Sequence, residues 1–420
     1  MAVKNGRIER IYSNISQAAT EEIDAVGRLL LPGVIDPQVH FRDPGAPHKE
    51  DLASGSRAAV KGGVTSFLEM PNTRPTTTSQ DALDAKLARA ADVSVGNYGF
   101  FIGATPDNLD VINTASPVCG IKVFMGSSTG DLLVSEKSDL EKIFANGERL
   151  IAVHAEDEQR IRSRTAQFLE NFGPDPDPAM HSQVRDVECA VLATKLALEL
   201  SNKYQRRLHI LHLSTGAEAD MLRENKPAWV SAEVIPNHLL LNINDYAELG
   251  TLVQMNPPIR TTEDNETLFQ ALRDGVIDII ATDHAPHTLA EKQQPYPKAP
   301  SGMAGVETSL PLMLTEMKRG SCTLEHIQRW MCYGPARLYG IPNKGKILEG
   351  WDADLTIVDL ETEKPVRNAD MFTKCGWTPY AGRMLTGWSQ WTIVSGQVAY
   401  ENGRIRESTR GNALSFQPKH

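Results

Sequence analysis

Short hydrophobic runs alternate with amphipathic stretches along most of the chain. The runs have the length and apolar character of buried strands, whereas stretches such as 79–91 and 184–204 carry apolar residues at helical spacing. Eight runs joined by such stretches fit the β–α units of a (β/α)8 TIM barrel. The eight runs are LLLPGVIDPQVHF, GVTSFLEM, VGNYGFFIGA, GIKVFM, RLIAVHAE, RLHILHLST, AWVSAEVI and GVIDIIATDH.

The two ends of the chain have a different pattern, in which alternating residues follow turn signals. Asn-Gly pairs stand at residues 5–6 and 402–403, in KNGRIERI and ENGRIRES, and each favours a tight hairpin. Strand-like segments ADLTIVDL and WTIVSGQVAYENGRI lie near the C-terminus. We therefore predict an α/β fold in which a barrel spans residues 31–342. A small β-sandwich domain is predicted from residues 1–30 together with 343–420.

Two long loops rich in Pro and Gly follow the first and the last hydrophobic runs. Their sequences are PGAPHKEDLASG and APHTLAEKQQPYPKAPSGMAG. Both are too long for ordinary βα turns, and loops at the carboxyl ends of barrel strands carry the active site in this architecture. We therefore interpret both segments as active-site loops, the second of which lies within residues 285–306.

Composition narrows the range of functions. With 41% hydrophobic and 23% charged residues the chain is typical of globular proteins, and its net charge of −10 without a basic run argues against nucleic-acid binding. The N-terminus is too charged for a signal peptide, and no apolar run reaches membrane-spanning length. Five cysteines without CxxC spacing indicate reduced thiols. These features predict a cytoplasmic protein with no membrane partner.

Potential metal ligands stand at the carboxyl ends of several runs. A single strand histidine is more often a hydrogen-bonded core residue, but a lysine inside an apolar strand is costly to bury unless it is paired or neutralised. Carbamylation by carbon dioxide is one solution, and extension of the amine to the barrel rim is the other. Five candidates at one face together favour Zn²⁺ or a similar ion; they are His40, Lys122, His154, His212 and Asp283.

At this point the sequence resembles the dihydroorotases of the amidohydrolase superfamily, from about residue 25 to 405. The resemblance rests on PGVIDPQVHFRDPG, AAVKGGVTSFLEMPNT, GIKVFMGSSTG, HAED, HLST, NPPIR, TDHAPH, GMAGVETSLPLM and KGKILEGWDADLTIVD. It implies a binuclear zinc barrel in which a carbamylated Lys122 bridges the ions. His154 and His212 would hold one ion, while His40 and Asp283 would help to hold the other.

The resemblance also implies the reaction and its substrate contacts. The reaction is the reversible hydrolysis of the cyclic amide of dihydroorotate to N-carbamoyl-L-aspartate, and a metal assists it by lowering the pKa of bound water to about 7. Asp283 would carry the proton. Arg42 can form a bidentate pair with the substrate carboxylate, and the family pattern adds Asn72, Asn256 and His287. Without the family, Arg42 could form a surface ion pair, Asn72 could be a turn residue and His287 a solvated loop residue.

The chain departs from the family pattern at two positions. Gln38 stands where the family usually has the first histidine of His-x-His, and an amide oxygen is a poorer zinc donor than imidazole. Gln38 is therefore either a weak ligand or a hydrogen-bonded neighbour of the site. Asn237 precedes His238 where the family usually has two histidines, and we expect it to tune the packing. His209 and His284 are expected to be structural, with side chains turned away from the site.

Two alternatives to a dihydroorotase stay open. An allantoinase or hydantoinase shares the lysine bridge, but Arg42 and His287 argue against it. A decayed site would leave a non-catalytic partner of aspartate carbamoyltransferase, which would bind little metal. A homodimer is a family expectation only.

Overall fold

Eight parallel strands form a barrel in the computed structural model, which describes residues 1–126, 132–173 and 176–417. The end of the GIKVFMGSSTG motif and the last three residues of the chain lie outside these ranges. The barrel strands in order are Val34–Val39, Val64–Glu69, Asn97–Phe100 with Ile102–Gly103, Ile121–Phe124, Ile151–His154, Leu208–Ile210, Val230–Val234 and Ile279–Ile280.

Hydrogen bonds between neighbouring strands run around the whole barrel. Each strand pairs in parallel with the next, and Phe101 N–H donates to Glu69 O where the third strand is interrupted. The ring closes through a parallel bridge between Val39 and His284 and a 2.7 Å hydrogen bond from His40 N–H to His284 O. The first two strands are buried along their full length because helices and side chains cover both faces. The α/β fold is confirmed, and this ring of parallel strands agrees with the predicted (β/α)8 barrel.

Capping side chains start several of the barrel helices. Asp51, Ser79, Asp186, Thr215 and Thr261 each accept a hydrogen bond from a backbone N–H in the first turn, which satisfies one otherwise free donor. The α-helices are Leu52–Lys61, Gln80–Val93, Leu109–Thr114, Lys137–Ala145, Glu158–Phe172, Met180–Val184, Val187–Tyr204, Gly216–Asn225, Pro236–Leu240, Tyr246–Leu249, Thr262–Asp274, Leu289–Lys292, Ser309–Lys318, Leu324–Gln328 and Gly334–Tyr339. Short 3-10 turns occur at Ile243–Asp245, Gly250–Val253 and Asn368–Asp370, and a π-helical turn at Arg329–Tyr333.

The small β domain combines both ends of the chain. Its antiparallel sheet has the order Arg404–Ile405, Gln397–Glu401, Trp388–Val394, Leu355–Asp359 and Leu29–Pro32. A hairpin of Ala2–Lys4 and Arg7–Arg10 packs against this sheet through Ile8, and a short pair joins Lys364–Pro365 to Met384–Leu385. Both Asn-Gly turns have positive φ at their two residues, as tight hairpins require.

The predicted domain limits stay a prediction, and two segments cross them. The strand Leu29–Pro32 belongs to the small sheet and straddles the limit between residues 30 and 31. Near the C-terminus, Leu414 N–H donates to Tyr98 O, which returns the chain to the third barrel strand. All five cysteines are free, and no helix within the described ranges is long and apolar enough to cross a bilayer.

Candidate metal and substrate site

Three of the predicted site residues adopt a backbone conformation that non-glycine residues rarely use. The φ angles are +60° at Arg42, +37° at His212 and +47° at Asp283. Such conformations cost about 1–3 kcal/mol each and persist only where the surrounding structure fixes them. All three lie just beyond the ends of barrel strands, so this strain is concentrated at the carboxyl face of the barrel.

His40 and Asp283 form the first pair of candidate ligands. His40 Nε2 lies 3.0 Å from Asp283 Oδ1, and its Nδ1 lies 2.7 Å from Asn72 Oδ1. Burial lowers the pKa of His40, which favours the neutral ring. If Nδ1–H donates to Asn72, a neutral His40 points the lone pair of Nε2 at a carboxylate oxygen. A cation between these two acceptors would remove the conflict.

Gln38 lies beside this first pair, on the same face of the first strand as His40. Its side chain is buried, and Nε2 donates to Asp283 Oδ1 at 3.1 Å. Its Oε1 has no hydrogen-bond partner among the described residues. The Gln38 side chain therefore lies at the site and contacts Asp283, and it does not pack within the barrel wall.

His154 and His212 form the second pair. His154 Nδ1 and His212 Nε2 face each other across 3.0 Å, and His154 Nε2 lies 2.9 Å from Glu156 Oε2. Because Glu156 is an acceptor, His154 carries its proton on Nε2 and directs the Nδ1 lone pair toward His212. Although burial opposes it, the charge of Arg185, 2.6 Å away, holds the pKa of Glu156 below its usual range.

Lys122 is the most unusual member of the site. Its side chain is 1% exposed, and Nζ has no hydrogen-bond partner within the described part of the chain. Burial lowers the pKa of Lys122 to about 7, against the opposing charges of Asp283 and Glu233. The Phe124 ring lies 4.4 Å from Nζ, but a buried amine without a hydrogen bond is costly, and conversion to a carbamate would supply the missing polar contacts. The predicted alternative, an amine extended to the rim, does not agree with this burial.

The donor set fits a divalent metal, although it lacks a conventional cluster. Among the residues that the structure describes, no three His, Cys, Asp or Glu side chains gather closely enough to hold an ion. The two pairs nevertheless place facing donors 3.0 Å apart. Ligand atoms that share a tetrahedral zinc ion at about 2.0–2.1 Å lie roughly 3.3 Å apart. Each pair therefore needs Lys122, Gln38 or another group to complete a metal site.

Arg42 and His287 form a basic group next to the first pair. Arg42 Nη2 lies 3.3 Å from His287 Nε2, and its Nε donates to Pro286 O at 3.3 Å. Lys49 Nζ lies 3.0 Å from His287 Nδ1, while His287 Nε2 lies 3.1 Å from Ser301 O. Burial and the charges of Arg42 and Lys49 lower the pKa of His287, so its ring is neutral.

This arrangement leaves the Arg42 guanidinium available. The neutral His287 ring accepts from Lys49 at Nδ1 and donates from Nε2 to Ser301 O. No carboxylate forms an ion pair with Arg42 among the described residues. An arginine with free donors beside a neutral histidine is suited to bind a carboxylate.

The two asparagines have more specific neighbours than the sequence indicated. Asn72 Oδ1 contacts His40, so this residue orients a candidate ligand, and only its amide nitrogen is left for a substrate. Asn256 Oδ1 lies 2.9 Å from His181 Nε2, and no hydrogen bond joins Asn256 to Arg42 or His287 within the described ranges. Their predicted substrate contacts stay predictions.

His209, His284 and Asn237 occupy structural positions, as the sequence predicted. His209 lies between Ser231 Oγ and Glu233 Oε2, at 2.8 and 3.0 Å. His284 Nδ1 accepts from the backbone of Gly305 and Val306, on the side away from Asp283. Asn237 Oδ1 accepts a 2.7 Å hydrogen bond from Tyr380 Oη, which agrees with a packing role.

A segment from the C-terminal part of the chain holds the second active-site loop, and the sequence did not reveal it. Trp377 is buried and donates from Nε1 to His287 O at 2.7 Å. Glu307 accepts from the backbone N–H groups of Phe372 and Thr373, at 2.9 and 2.7 Å. These contacts fix the backbone that carries His287.

Glu156 and Lys49 were also missed as members of the site. Glu156 belongs to the HAED motif, where its spacing of two from His154 was an available signal. Lys49 lies in the first long loop, whose length alone had suggested a functional role.

Comparisons with known proteins identify the family of this chain. A dihydro-orotase-like family model matches residues 27–159, and an amidohydrolase family model matches residues 205–399. The dihydroorotase of Halobacterium salinarum is 36% identical over 92% of this chain and 93% of its own length. The dihydroorotase of Methanosarcina mazei is 36% identical over 99% and 94%, respectively.

Solved structures show the same fold. L-hydantoinase (dihydropyrimidinase) from Arthrobacter aurescens has a TM-score of 0.92 at 31% identity, covering 98% of this chain and 95% of its own. Dihydropyrimidinase from Brevibacillus agri has a TM-score of 0.90 at 23% identity, covering 99% and 95%. With more than a third of its residues identical to dihydroorotases over nearly the whole of both chains, this chain belongs to the dihydroorotase family of the amidohydrolases.

Proposed function

We propose that this protein is a dihydroorotase of de novo pyrimidine biosynthesis, which interconverts dihydroorotate and N-carbamoyl-L-aspartate. The observation that carries the proposal is the Arg42 guanidinium, which lies beside His287 without a carboxylate partner among the described residues. Both the cyclic substrate and the open product carry a carboxylate. A bidentate pair with Arg42 would bind either of them and set their orientation.

The candidate ligands fit a zinc centre of one or two ions, with Lys122 carbamylated. His154 and His212 would hold one ion, His40 and Asp283 the other, and the carbamate of Lys122 would bridge them. When bound, the metal supplies a Lewis acid for the amide carbonyl and lowers the pKa of the attacking water. Support comes from the two close pairs of candidate ligand atoms and from the buried Lys122 amine, which has no hydrogen-bond partner among the described residues.

Asp283 is suited to carry the proton during hydrolysis. His40 and Gln38 both contact its Oδ1, whereas no hydrogen bond reaches Oδ2 among the described residues. The free oxygen can accept a proton from the attacking water and deliver it to the ring nitrogen that leaves. In the biosynthetic direction the same oxygen would take the proton from the amide nitrogen of N-carbamoyl-L-aspartate.

A hydantoinase-type cyclic amidohydrolase is the second candidate, because the similar L-hydantoinase structure shares 31% of its residues with this chain. Hydantoin lacks a carboxylate at the ring position where dihydroorotate carries one. Arg42 would then have no partner in the bound complex, which would leave a partly buried charge uncompensated. This cost favours the acidic substrate, and allantoin is disfavoured for the same reason.

Assembly and location belong to the same proposal. We propose a cytoplasmic homodimer, with association with aspartate carbamoyltransferase as a further arrangement. In a non-catalytic assembly partner, we would expect several of the candidate metal ligands to be replaced by residues that cannot bind metal. The presence of all five candidate ligands supports a catalytic protein instead; they are His40, Lys122, His154, His212 and Asp283.

The test compares three substrates with one enzyme preparation. Purified protein loaded with Zn²⁺ in bicarbonate buffer is assayed with dihydroorotate, hydantoin and allantoin at equal concentrations. We expect kcat/KM to be highest for dihydroorotate. A higher kcat/KM for hydantoin or allantoin would assign the enzyme to that substrate. No turnover together with little bound metal would favour the assembly partner, and no turnover with full metal content would contradict the proposed activity.

A further inference from the structure

Gln38 combines three properties that a simple hydrogen-bonding residue would not need together. Its side chain is only 1% exposed, its Nε2 contacts Asp283 Oδ1 at 3.1 Å, and its Oε1 has no partner among the described residues. A buried polar atom without a hydrogen-bond partner is destabilising. An additional group bound at the site would remove this cost.

The end of the Gln38 amide lies beside the pair formed by His40 and Asp283. His40 Nε2 and Gln38 Nε2 both contact Asp283 Oδ1, at 3.0 and 3.1 Å, so the three side chains surround one point at the barrel end. The last torsion of a glutamine is broad and roughly two-fold, so a half turn exchanges nitrogen for oxygen. Facing a carboxylate alone, the amide presents N–H; facing a cation, it would present Oε1.

The two halves of the site therefore differ in donor chemistry. His154 and His212 offer two imidazole nitrogens. His40, Asp283 and Gln38 offer one imidazole nitrogen and two oxygens. Carboxylate and carbonyl oxygens suit harder ions such as Mn²⁺, whereas imidazole suits Zn²⁺. A carbamate on Lys122 would be shared, so it would not change this contrast.

We infer that Gln38 Oε1 is a ligand of the position shared with His40 and Asp283, and that this position accepts Mn²⁺ while the His154/His212 position keeps Zn²⁺. The inference rests on the proposed metal-dependent function and adds a difference in metal preference between the two positions. Replacing histidine with glutamine then changes the choice of metal rather than abolishing the site.

The experiment measures metal binding rather than turnover. Metal-free full-length protein in bicarbonate buffer receives one equivalent of Zn²⁺ and is then titrated with Mn²⁺. Metal analysis after gel filtration and electron paramagnetic resonance of bound Mn²⁺ report the two ions separately. We expect one Zn²⁺ and one Mn²⁺ per chain in the unaltered protein.

Three substitutions at residue 38 test the role of the oxygen. Gln38→Leu should weaken Mn²⁺ binding about tenfold or more while one Zn²⁺ stays bound, and Gln38→Glu, which keeps an oxygen, should bind Mn²⁺ at least as tightly as glutamine. Gln38→His should retain a second Zn²⁺ against a chelator about tenfold better than the unaltered protein. Gln254→Leu is the matched control, because Gln254 is also buried with a free Oε1 but donates to Ala299 O.

The outcomes separate this inference from the proposed activity. Equal Mn²⁺ affinity in the Gln38→Leu, Gln38→Glu and unaltered proteins would overturn it, as would two Zn²⁺ held as tightly as in Gln38→His. If Gln38→Leu fails to fold, the metal binding of Gln38→Glu and Gln38→His, each compared with the unaltered protein, still tests the inference. Dihydroorotate turnover is measured separately on the same samples, so the expected metal pattern without turnover would contradict only the proposed activity.

Discussion

The Nδ1 of His154 and the Nε2 of His212 face each other 3.0 Å apart at the ends of neighbouring barrel strands. Glu156 fixes the ring of His154 from the other side, since it accepts from Nε2 at 2.9 Å. The Nδ1 of His212 has no partner within the described part of the chain. The two rings are therefore positioned so that they could bind a third group, such as a metal ion.

Replacing His212 with alanine should remove the metal held by this pair. We expect the zinc content after gel filtration to fall by at least half, because one imidazole cannot retain the ion alone. His326→Ala is the control, since His326 stacks on Trp330 away from the barrel end. Unchanged zinc in His212→Ala, or an equal loss in His326→Ala, would remove the pair from the metal site.

Replacing Lys122 with alanine should remove the carbamate that we propose to bridge the two metal ions. We expect lower metal content and loss of turnover, with partial recovery of both on addition of formate, acetate or propionate, whose carboxylates can take the place of the carbamate. Lys292→Met is the control, because Lys292 is also fully buried but lies in the loop after Asp283. Metal content equal to that of the unaltered protein in Lys122→Ala would exclude carbamylation.

Replacing Arg42 with alanine should weaken binding of acidic substrates. A charge-assisted contact contributes about 1.5–3 kcal/mol, so we expect KM for dihydroorotate to rise roughly 10- to 100-fold. Turnover of hydantoin, which lacks the carboxylate, should not fall in parallel. Arg89→Ala removes a more exposed arginine that pairs with Asp43 and should leave KM unchanged. Parallel losses for both substrates would show that Arg42 is structural.

Replacing Trp377 with phenylalanine removes the hydrogen bond to His287 O. We expect about 1–2 kcal/mol less stability, faster amide exchange in residues 285–306 and a several-fold higher KM, because a buried carbonyl loses its donor. Trp388→Phe is the matched control, since Trp388 is buried and donates to Leu385 O at 2.9 Å. It should lose stability without a change in KM. Equal KM effects in the two variants would argue against a positioning role.

The pH dependence of the free energy of unfolding should reflect the titration of Lys292. Burial lowers the pKa of Lys292 to about 7 in the folded protein, whereas the unfolded chain has a pKa of about 10.4. Between these values the unfolded state binds one more proton, so the free energy of unfolding rises with pH by up to about 1.4 kcal/mol per unit. Below pH 7 this group contributes no slope.

The Lys292→Met variant isolates this contribution. Urea unfolding between pH 7.5 and 9.5 should show a shallower rise in stability than the unaltered protein, because methionine does not titrate. Equal slopes in the two proteins would mean that Lys292 stays charged in the folded state, stabilised by its hydrogen bonds to Gln254 O and Pro300 O.

The barrel and the proximity of the two candidate ligand pairs could be predicted because both depend on local pattern. Each hydrophobic run marks a buried strand, and parallel strands bring their carboxyl ends to one face. That rule was enough to place His40 near Asp283 and His154 near His212, although they are far apart in sequence. The Asn-Gly hairpins were predictable for the same local reason.

The contacts that tune the site could not be predicted in this way. Trp377 meets His287 across 90 positions, and Glu156 meets Arg185 across 29, through loops whose paths no periodicity specifies. The positive φ angles of Arg42 and His212 also arise from tertiary packing rather than from residue type. The contact between Asn72 and His40 is another example. The sequence shows that Asn72 follows Pro71, but it does not show which residue the Asn72 side chain contacts.

The most direct test of a metal-dependent dihydroorotase is hydrolysis of dihydroorotate by one sample before and after removal of its metal. We expect turnover in the purified protein, its loss after dialysis against a chelator, and its return on addition of Zn²⁺ and bicarbonate. Turnover that is unaffected by full metal removal, or no turnover with the metal sites filled, would contradict the account.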